Sequence, residues 1–351
     1  MLSVVEKALR KLVKEQQGLN PSQVTELDGV PSSTDFARFV AANRPAVMRG
    51  AGRQLGVPAL DRWTDDYLVE KLAERELEIS ATPHGNADAI VDGAFVEPAN
   101  VKMPLSSLLD RLHEEEGDDE ATSPVFYLQS QNGNLAGEYE PLRDDVGEGP
   151  AFAREVFGQA PDVANIWIGG RRSKTSLHND PYENLYLVVR GSKTFTLFPP
   201  SEAYCMHEQP FPHATYVFDP ATSTFSIRRT DPPLSLPWIP IDLDSPSLSQ
   251  HPRFAHARPL RVTLEQGDML YLPALWFHRV EQDVGHGPPR AGSGREGRGG
   301  ERGVKAAIAV NWWTDMDYGA PVWSLQNMVR RLAMALDGQE DDEPESDDDE
   351  L

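Results

Sequence analysis

Sulfur for cross-linking is nearly absent: the 351-residue chain has a single cysteine, Cys205. One thiol closes no disulfide within the chain, so packing alone must hold the fold. A reducing compartment, cytosol or nucleus, is the expectation, and a buried structural thiol is expected for Cys205. Basic residues are also scarce. Thirty-three Lys and Arg face 55 Asp and Glu, for a formal net charge of −22. A chain without a basic excess is a poor binder of phosphate backbone, so direct nucleic-acid binding is not expected. A basic protein or peptide suits this field better. No apolar run reaches the roughly 18 residues of a membrane span, so no membrane association is expected. The opening MLSVVEKALRKLVKEQQG lacks the continuous apolar stretch of a secretory signal. Its Leu2, Val5, Leu9, Leu12 and Val13 fall at helical spacing, as in an amphipathic helix packed on a domain. Glu6 and Glu15 argue against a transit peptide. No internal repeat is found, which excludes a solenoid.

What is present divides the chain. Residues 1–120 read as a mixed, partly helical region packed on a core. Within it, 34–43 forms a short helix with Thr34 as N-cap, 44–50 a strand, and 61–80 a helix running into a strand. The acidic stretch EEEGDDEATSP at 114–124 is a solvated loop. From 163 the pattern turns to β: VANIWIGG, ENLYLVVRG, KTFTLFPP, TFSIRR, RPLRVTLEQGDMLYLPALWFHRVEQ and AAIAVNWWTD, separated by Gly, Pro and Asp turns. Short strands at this rhythm suggest a sandwich or barrel over 121–320. Residues 199–260, rich in Pro, Ser, Asp and His, read as a long excursion from it. The Gly/Arg-rich segment 285–303 reads as a flexible loop. Residues 321–336 form a helix with Pro321 in its first turn. Its stripe of Val322, Leu325, Val329, Leu332 and Leu336 either packs on the domain or pairs with a second chain. The last fifteen residues, 337–351, carry ten acids and no base and read as a disordered tail.

The chemistry begins in TSLHNDPYENLYLVVRGSKTF at 175–195. His178 and Asp180 stand two apart, and by itself such a pair fits a polar loop as well as a metal site. One hundred positions later the run GDMLYLPALWFHRV brings His278. Alone, His278 reads as a core-edge histidine bonded to backbone. Together, two imidazoles and one carboxylate form the ligand set of non-haem Fe(II) oxygenases, which leaves positions open for cosubstrate and O₂. Zinc accepts the same donors. On a strand, side chains at i and i+2 share a face, so His178 and Asp180 are expected to point inward together and to meet His278 from another strand. A 2-oxo acid bound to that metal needs a cation for its far carboxylate. Lys193, on the strand after Gly191, suits the task. Read without the triad, Lys193 is an ordinary strand lysine.

HND at 178–180, Asn184, the Gly-x-Lys at 191–193, GDMLYLPALWFHRV and AVNWW together resemble the JmjC-domain 2-oxoglutarate oxygenases, and within them the small hydroxylase-type members. The likeness runs over most of residues 1–335. It implies a mainly β fold: a double-stranded β-helix (jelly-roll, cupin-like) core with flanking helices. It implies Fe(II) held by His178, Asp180 and His278. It implies 2-oxoglutarate held by Lys193, with Tyr127, Thr175, Asn184 and Asn311 around it, and O₂ as oxidant. The implied activity is hydroxylation of a lysyl side chain in a protein, with developmentally regulated GTP-binding proteins as the substrate, and a homodimer through 321–336. The segment 285–303 and the acidic tail depart from the family pattern. Four other readings stand beside this one. N-methyl-lysine or N-methyl-arginine demethylation uses the same site, but no reader domain or zinc cluster accompanies it. Peptidase activity finds no Ser/His/Asp or Cys/His pair. A cupin-like scaffold would be expected to lose part of the triad. RNA hydroxylation would lean on the Gly/Arg segment.

Overall fold

The structure, a computed structural model, describes residues 3–115, 123–129, 133–284 and 306–339. The segment 285–303, most of the acidic stretch 114–124 and the tail beyond 339 lie outside the described residues. Two sheets form the centre. The larger runs in the order Thr25–Asp28, Ala46–Arg49, Met269–Leu272, Tyr182–Arg190, Ala307–Asp315, Val163–Gly169. The smaller runs Leu260–Leu264, Ser192–Phe198, Phe277–Asp283. This is the jelly-roll core of a cupin-like fold.

The sequence explains why the large sheet reads as nearly unbroken apolar runs, since both of its faces are covered. Along Tyr182–Arg190 the even positions Tyr186 and Val188 face the small sheet, packing with Phe195, Leu197, Val262 and Val280. The odd positions Leu185, Leu187 and Val189 face outward onto a layer that includes Phe36, Leu68, Leu108 and Phe152. At Gly191 the chain turns from the large sheet into the small one. Its φ is +72°, and a Cβ there would lie 2.7 Å from the Asp283 carbonyl oxygen. Only glycine fits that corner.

The first helix is Val4–Leu19, and it buries Leu9 and Val13 against Tyr204, Ile239 and Val329. Cys205 is fully buried in the same cluster, and burial pushes its thiol far above the ordinary range. Three local expectations need correction. The second helix begins at Ser33, and its N-cap is Ser32 rather than Thr34: Ser32 Oγ accepts from the Asp35 amide at 3.1 Å. The helix Leu105–Glu115 takes the first two residues of the acidic stretch. Residues 199–260 hold a long strand, Gln209–Asp219, paired to Thr224–Arg229 and Ser235–Trp238. Prolines and exposed polar positions hide that strand from a pattern search.

The last helix is Pro321–Leu336, but its apolar stripe is split. Val329, Leu332 and Leu336 pack with Leu9 and Val13, while Val322 packs with Ala274, Leu275 and Met316. Leu325 is 57% exposed and Met328 51%. Among the described residues no helix is long and apolar enough to cross a membrane.

Candidate metal and cosubstrate site

Strand pairing brings the two histidines together. The His178 amide donates to the His278 carbonyl at 3.1 Å, and the His278 amide returns to the His178 carbonyl at 2.7 Å. Residues directly opposite in an antiparallel pair project to the same face, and the rings stand 4.3 Å apart between centroids. Residues 178–180 are not one regular strand, as the i, i+2 expectation had it. His178 makes only an isolated bridge, and Asp180 lies on the loop beyond. Pro181 has no amide hydrogen with which to continue a ladder. Asp180 is placed instead by its carbonyl, which accepts from the Leu275 amide at 2.8 Å.

Asp180 Oδ2 lies 3.5 Å from His278 Nε2 and 3.8 Å from His178 Nε2. One donor atom from each of the three falls within 4.8 Å of the others. Each imidazole has its other nitrogen tied to a backbone carbonyl two residues earlier: His178 Nδ1 to Ser176 O at 2.8 Å and His278 Nδ1 to Trp276 O at 3.0 Å. Nδ1 therefore carries the proton and Nε2 presents its lone pair, as a metal ligand must. Burial, and next the His178 ring, push His278 down to about 4. It is neutral at physiological pH and ready to ligate. Two imidazoles and a carboxylate, converging from one side, fit a divalent metal with open positions.

Beside the triad is a cavity of about 70 Å³, and it gathers every site residue expected from sequence: Tyr127, Thr175, His178, Asp180, Asn184, Lys193, His278 and Asn311. In the small sheet Leu197 stands opposite His278 and Lys193 opposite Gln282, so Lys193, His278 and Gln282 share the inner face. The four steps from His278 to Gln282 span about 13 Å at ~3.3 Å rise per residue.

Lys193 is buried, with its Nζ against Gln282 Oε1 and no carboxylate in ion-pair range among the described residues. Desolvation pushes its ammonium down to about 7. An enclosed cation with no counter-charge is costly to keep, and a ligand carboxylate would relieve that cost.

The other polar groups also have bonding capacity to spare. Asn311 Nδ2 donates to Asn184 Oδ1 at 3.1 Å, and Trp167 Nε1 donates to Asn311 Oδ1 at 2.8 Å. This leaves the Asn184 amide hydrogens for a ligand. Thr175 Oγ1 accepts from the Val280 amide at 2.9 Å and keeps its own hydrogen. Thr82 stands near the Tyr127 hydroxyl, yet no hydrogen bond of good geometry closes between them. Trp313 Nε1 is buried without a hydrogen-bond partner among the described residues. An unpaired cation and several underused donors around one cavity suit a small dicarboxylate.

Sequence reading missed Gln282, Ser173, Tyr186, Trp167 and Trp313, which also line the cavity. For Gln282, Tyr186 and Trp313 the signal was available, because strand alternation from His278, Asn184 and Asn311 selects them. For Ser173 and Trp167 it was not, since cross-strand register places them.

A family model described as a cupin-like domain matches residues 31–320. A human relative, "bifunctional peptidase and (3S)-lysyl hydroxylase JMJD7", is 37% identical over 85% of this chain and 86% of its own. The chain belongs to the cupin-like JmjC family. That family depends on Fe(II) and 2-oxoglutarate, and the donor set described above is compatible with it. Two further relatives are similar over nearly their whole lengths. JmjC domain-containing protein E of Dictyostelium discoideum is 32% identical over 88% of this chain and 89% of its own. Lysine-specific demethylase JMJ32 of Arabidopsis thaliana is 30% identical over 98% of this chain and 99% of its own.

Proposed function

We propose that this protein is an Fe(II)- and 2-oxoglutarate-dependent dioxygenase that hydroxylates a lysyl side chain in a protein, a developmentally regulated GTP-binding protein being the substrate. The observation that carries the cosubstrate half is Lys193, a buried cation facing the triad cavity with no anion of its own among the described residues. The human relative's name supports the lysyl half. In this reading His178, Asp180 and His278 hold the metal. Lys193 binds the far carboxylate of 2-oxoglutarate, with Gln282 orienting its ammonium. Tyr127, Thr175, Asn184 and Asn311 line the rest of the site. Bound iron and the oxo acid supply oxidation of a substrate C–H bond by O₂, with the oxo acid released as succinate and CO₂.

A second cavity of about 290 Å³ meets the first at His178 and Asp180, and its walls include Trp238, Tyr318, Trp323, Glu208 and Arg330. One side of the triad thus serves the cosubstrate and the other admits the target side chain. Trp238 lies parallel to the His178 ring, 6.2 Å between centroids, on the side of this second cavity.

Incubation with Fe(II), ascorbate, 2-oxoglutarate and a lysine-bearing peptide from such a GTPase should add the mass of one oxygen to the lysine. A peptide of unchanged mass beside consumed cosubstrate would refute the assigned target. The Arabidopsis relative's name motivates a second arm with a methyl-lysine peptide, in which a demethylase would remove a methyl group. We also propose a homodimer through 321–336. Leu325 and Met328 both line an apolar groove of about 340 Å³ shared with Leu12 and Trp276. Leu325→Asp with Met328→Asp should turn a sedimenting dimer into monomer. If wild type sediments as a monomer, the face has another purpose.

A further inference from the structure

Asp88 stands close to the triad and takes no part in the roles assigned so far. It follows Asn86–Ala87, which pairs in parallel with Lys174–Thr175, so Asp88 lies level with the residues leading into His178. Gln129, itself a wall of the cosubstrate cavity, donates from Nε2 to Asp88 Oδ2 at 2.8 Å. That is its only hydrogen bond among the described residues, and no Lys or Arg there comes within ion-pair range of it. Protein closes round most of the carboxylate, while some solvent still reaches it. Burial pushes Asp88 up to about 6, offset in part by His178, with Glu97 and Asp180 adding negative charge nearby. Glu97 has a partner of its own, His213 at 3.2 Å. Asp88 has none.

Aromatic rings lie one strand away: Ile90, two residues after Asp88, pairs with Phe95. Trp238 lies over the His178 ring, and Phe95 packs on Trp238 at 4.3 Å between centroids. The buried Trp238 Nε1 has no hydrogen-bond partner among the described residues. A carboxylate beside aromatic faces is the chemistry that binds an alkylammonium. The backbone at Asp88 is left-handed, φ +54°. Asn tolerates that conformation as well as Asp does, so backbone shape alone does not call for a carboxylate.

We propose that Asp88, held by Gln129 near His178, receives the ammonium group of the substrate lysine and sets the preference for a charged side chain over a neutral one. This rests on reading the site as a lysyl hydroxylase. It adds that recognition is by charge at the end of the side chain, while oxidation occurs at a carbon nearer its base.

The test uses a probe that needs no knowledge of the target. n-Butylammonium, a lysine side chain without its backbone, and n-butanol are titrated into full-length protein loaded with Zn(II) and 2-oxoglutarate, following the Trp238 indole by NMR. Wild type should prefer the ammonium by about tenfold or more, the worth of a charge-assisted hydrogen bond. Asp88→Asn should erase that preference with 2-oxoglutarate affinity unchanged, and Asp88→Glu should retain part of it. Absence of the preference in wild type, or its survival in Asp88→Asn, overturns the proposal. If the preference is present and depends on Asp88 while no lysine peptide gains oxygen, the cation subsite stands and the lysyl hydroxylase reading falls.

Discussion

Asp180→Ala should leave less than about one per cent of wild-type hydroxylation. Even a group that only supports a metal ligand typically contributes ten- to a hundred-fold, and Asp180 is the sole carboxylate in the donor set. Among the described residues its ion-pair partners are the His178 and His278 imidazoles, at 3.8 and 3.5 Å, and it is partly exposed. Its removal should therefore spare the fold. The backbone bond from the Leu275 amide to the Asp180 carbonyl is independent of the side chain. Two readouts should agree: product mass falls to background, and metal titration followed by thermal melting loses its stabilisation. A variant that unfolds only when wild type does, yet still adds oxygen to its peptide, would remove Asp180 from the metal.

The second large effect has two opposite signs. Lys193→Met should raise the 2-oxoglutarate requirement by about ten- to a hundred-fold, the worth of a charge-assisted hydrogen bond to a carboxylate. The same change should stabilise the unliganded protein. The Lys193 ammonium lies at about 7 in the folded chain, below its ordinary 10.5. Between those values the unfolded chain holds a proton that the folded chain lacks, so wild-type stability rises with pH across that window. Below about 7 both forms are protonated and the folded state bears the whole cost of a buried charge, a few kcal/mol at ~1.4 kcal/mol per pH unit. Above 10.5 the difference vanishes. Met, unbranched and similar in length, carries no charge to bury. Urea unfolding at pH 7 and pH 10 should show a smaller rise for Lys193→Met than for wild type. An identical rise, or an unchanged requirement for 2-oxoglutarate, would take Lys193 out of the cavity.

The legible parts of the fold were those decided by local periodicity. The runs VANIWIGG, ENLYLVVRG and AAIAVNWWTD are strands because apolar residues on both faces meet covered surfaces, while KTFTLFPP alternates, with Lys193, Phe195 and Leu197 on its buried face. Pro321 marks the start of a helix that begins where the sequence says it should. Errors arose where neighbours outvote the local pattern. Ser32 caps the second helix because Asp35 lies three residues on and completes a reciprocal pair, Ser32 Oγ to Asp35 Oδ2 at 2.7 Å. Leu325 carries the same helical spacing as Val329, yet one is exposed and the other buried, because the first helix covers only part of that face.

The sequence by itself determined which chemistry is available: two imidazoles, one carboxylate and one lysine in strand-rich surroundings, with alternation selecting which of them share a face. Only the tertiary structure decided that they converge. The His178–His278 bridge, the Lys193–Gln282 opposition and the approach of Asp88 all depend on register between strands far apart in the chain. Register is set by which faces bury apolar area and by where turns such as Gly191 fall. Spacing along the chain carries no record of it. That is why the ligands could be read from the sequence, while the route by which Asp180 reaches them, and the acid waiting beside them, could not.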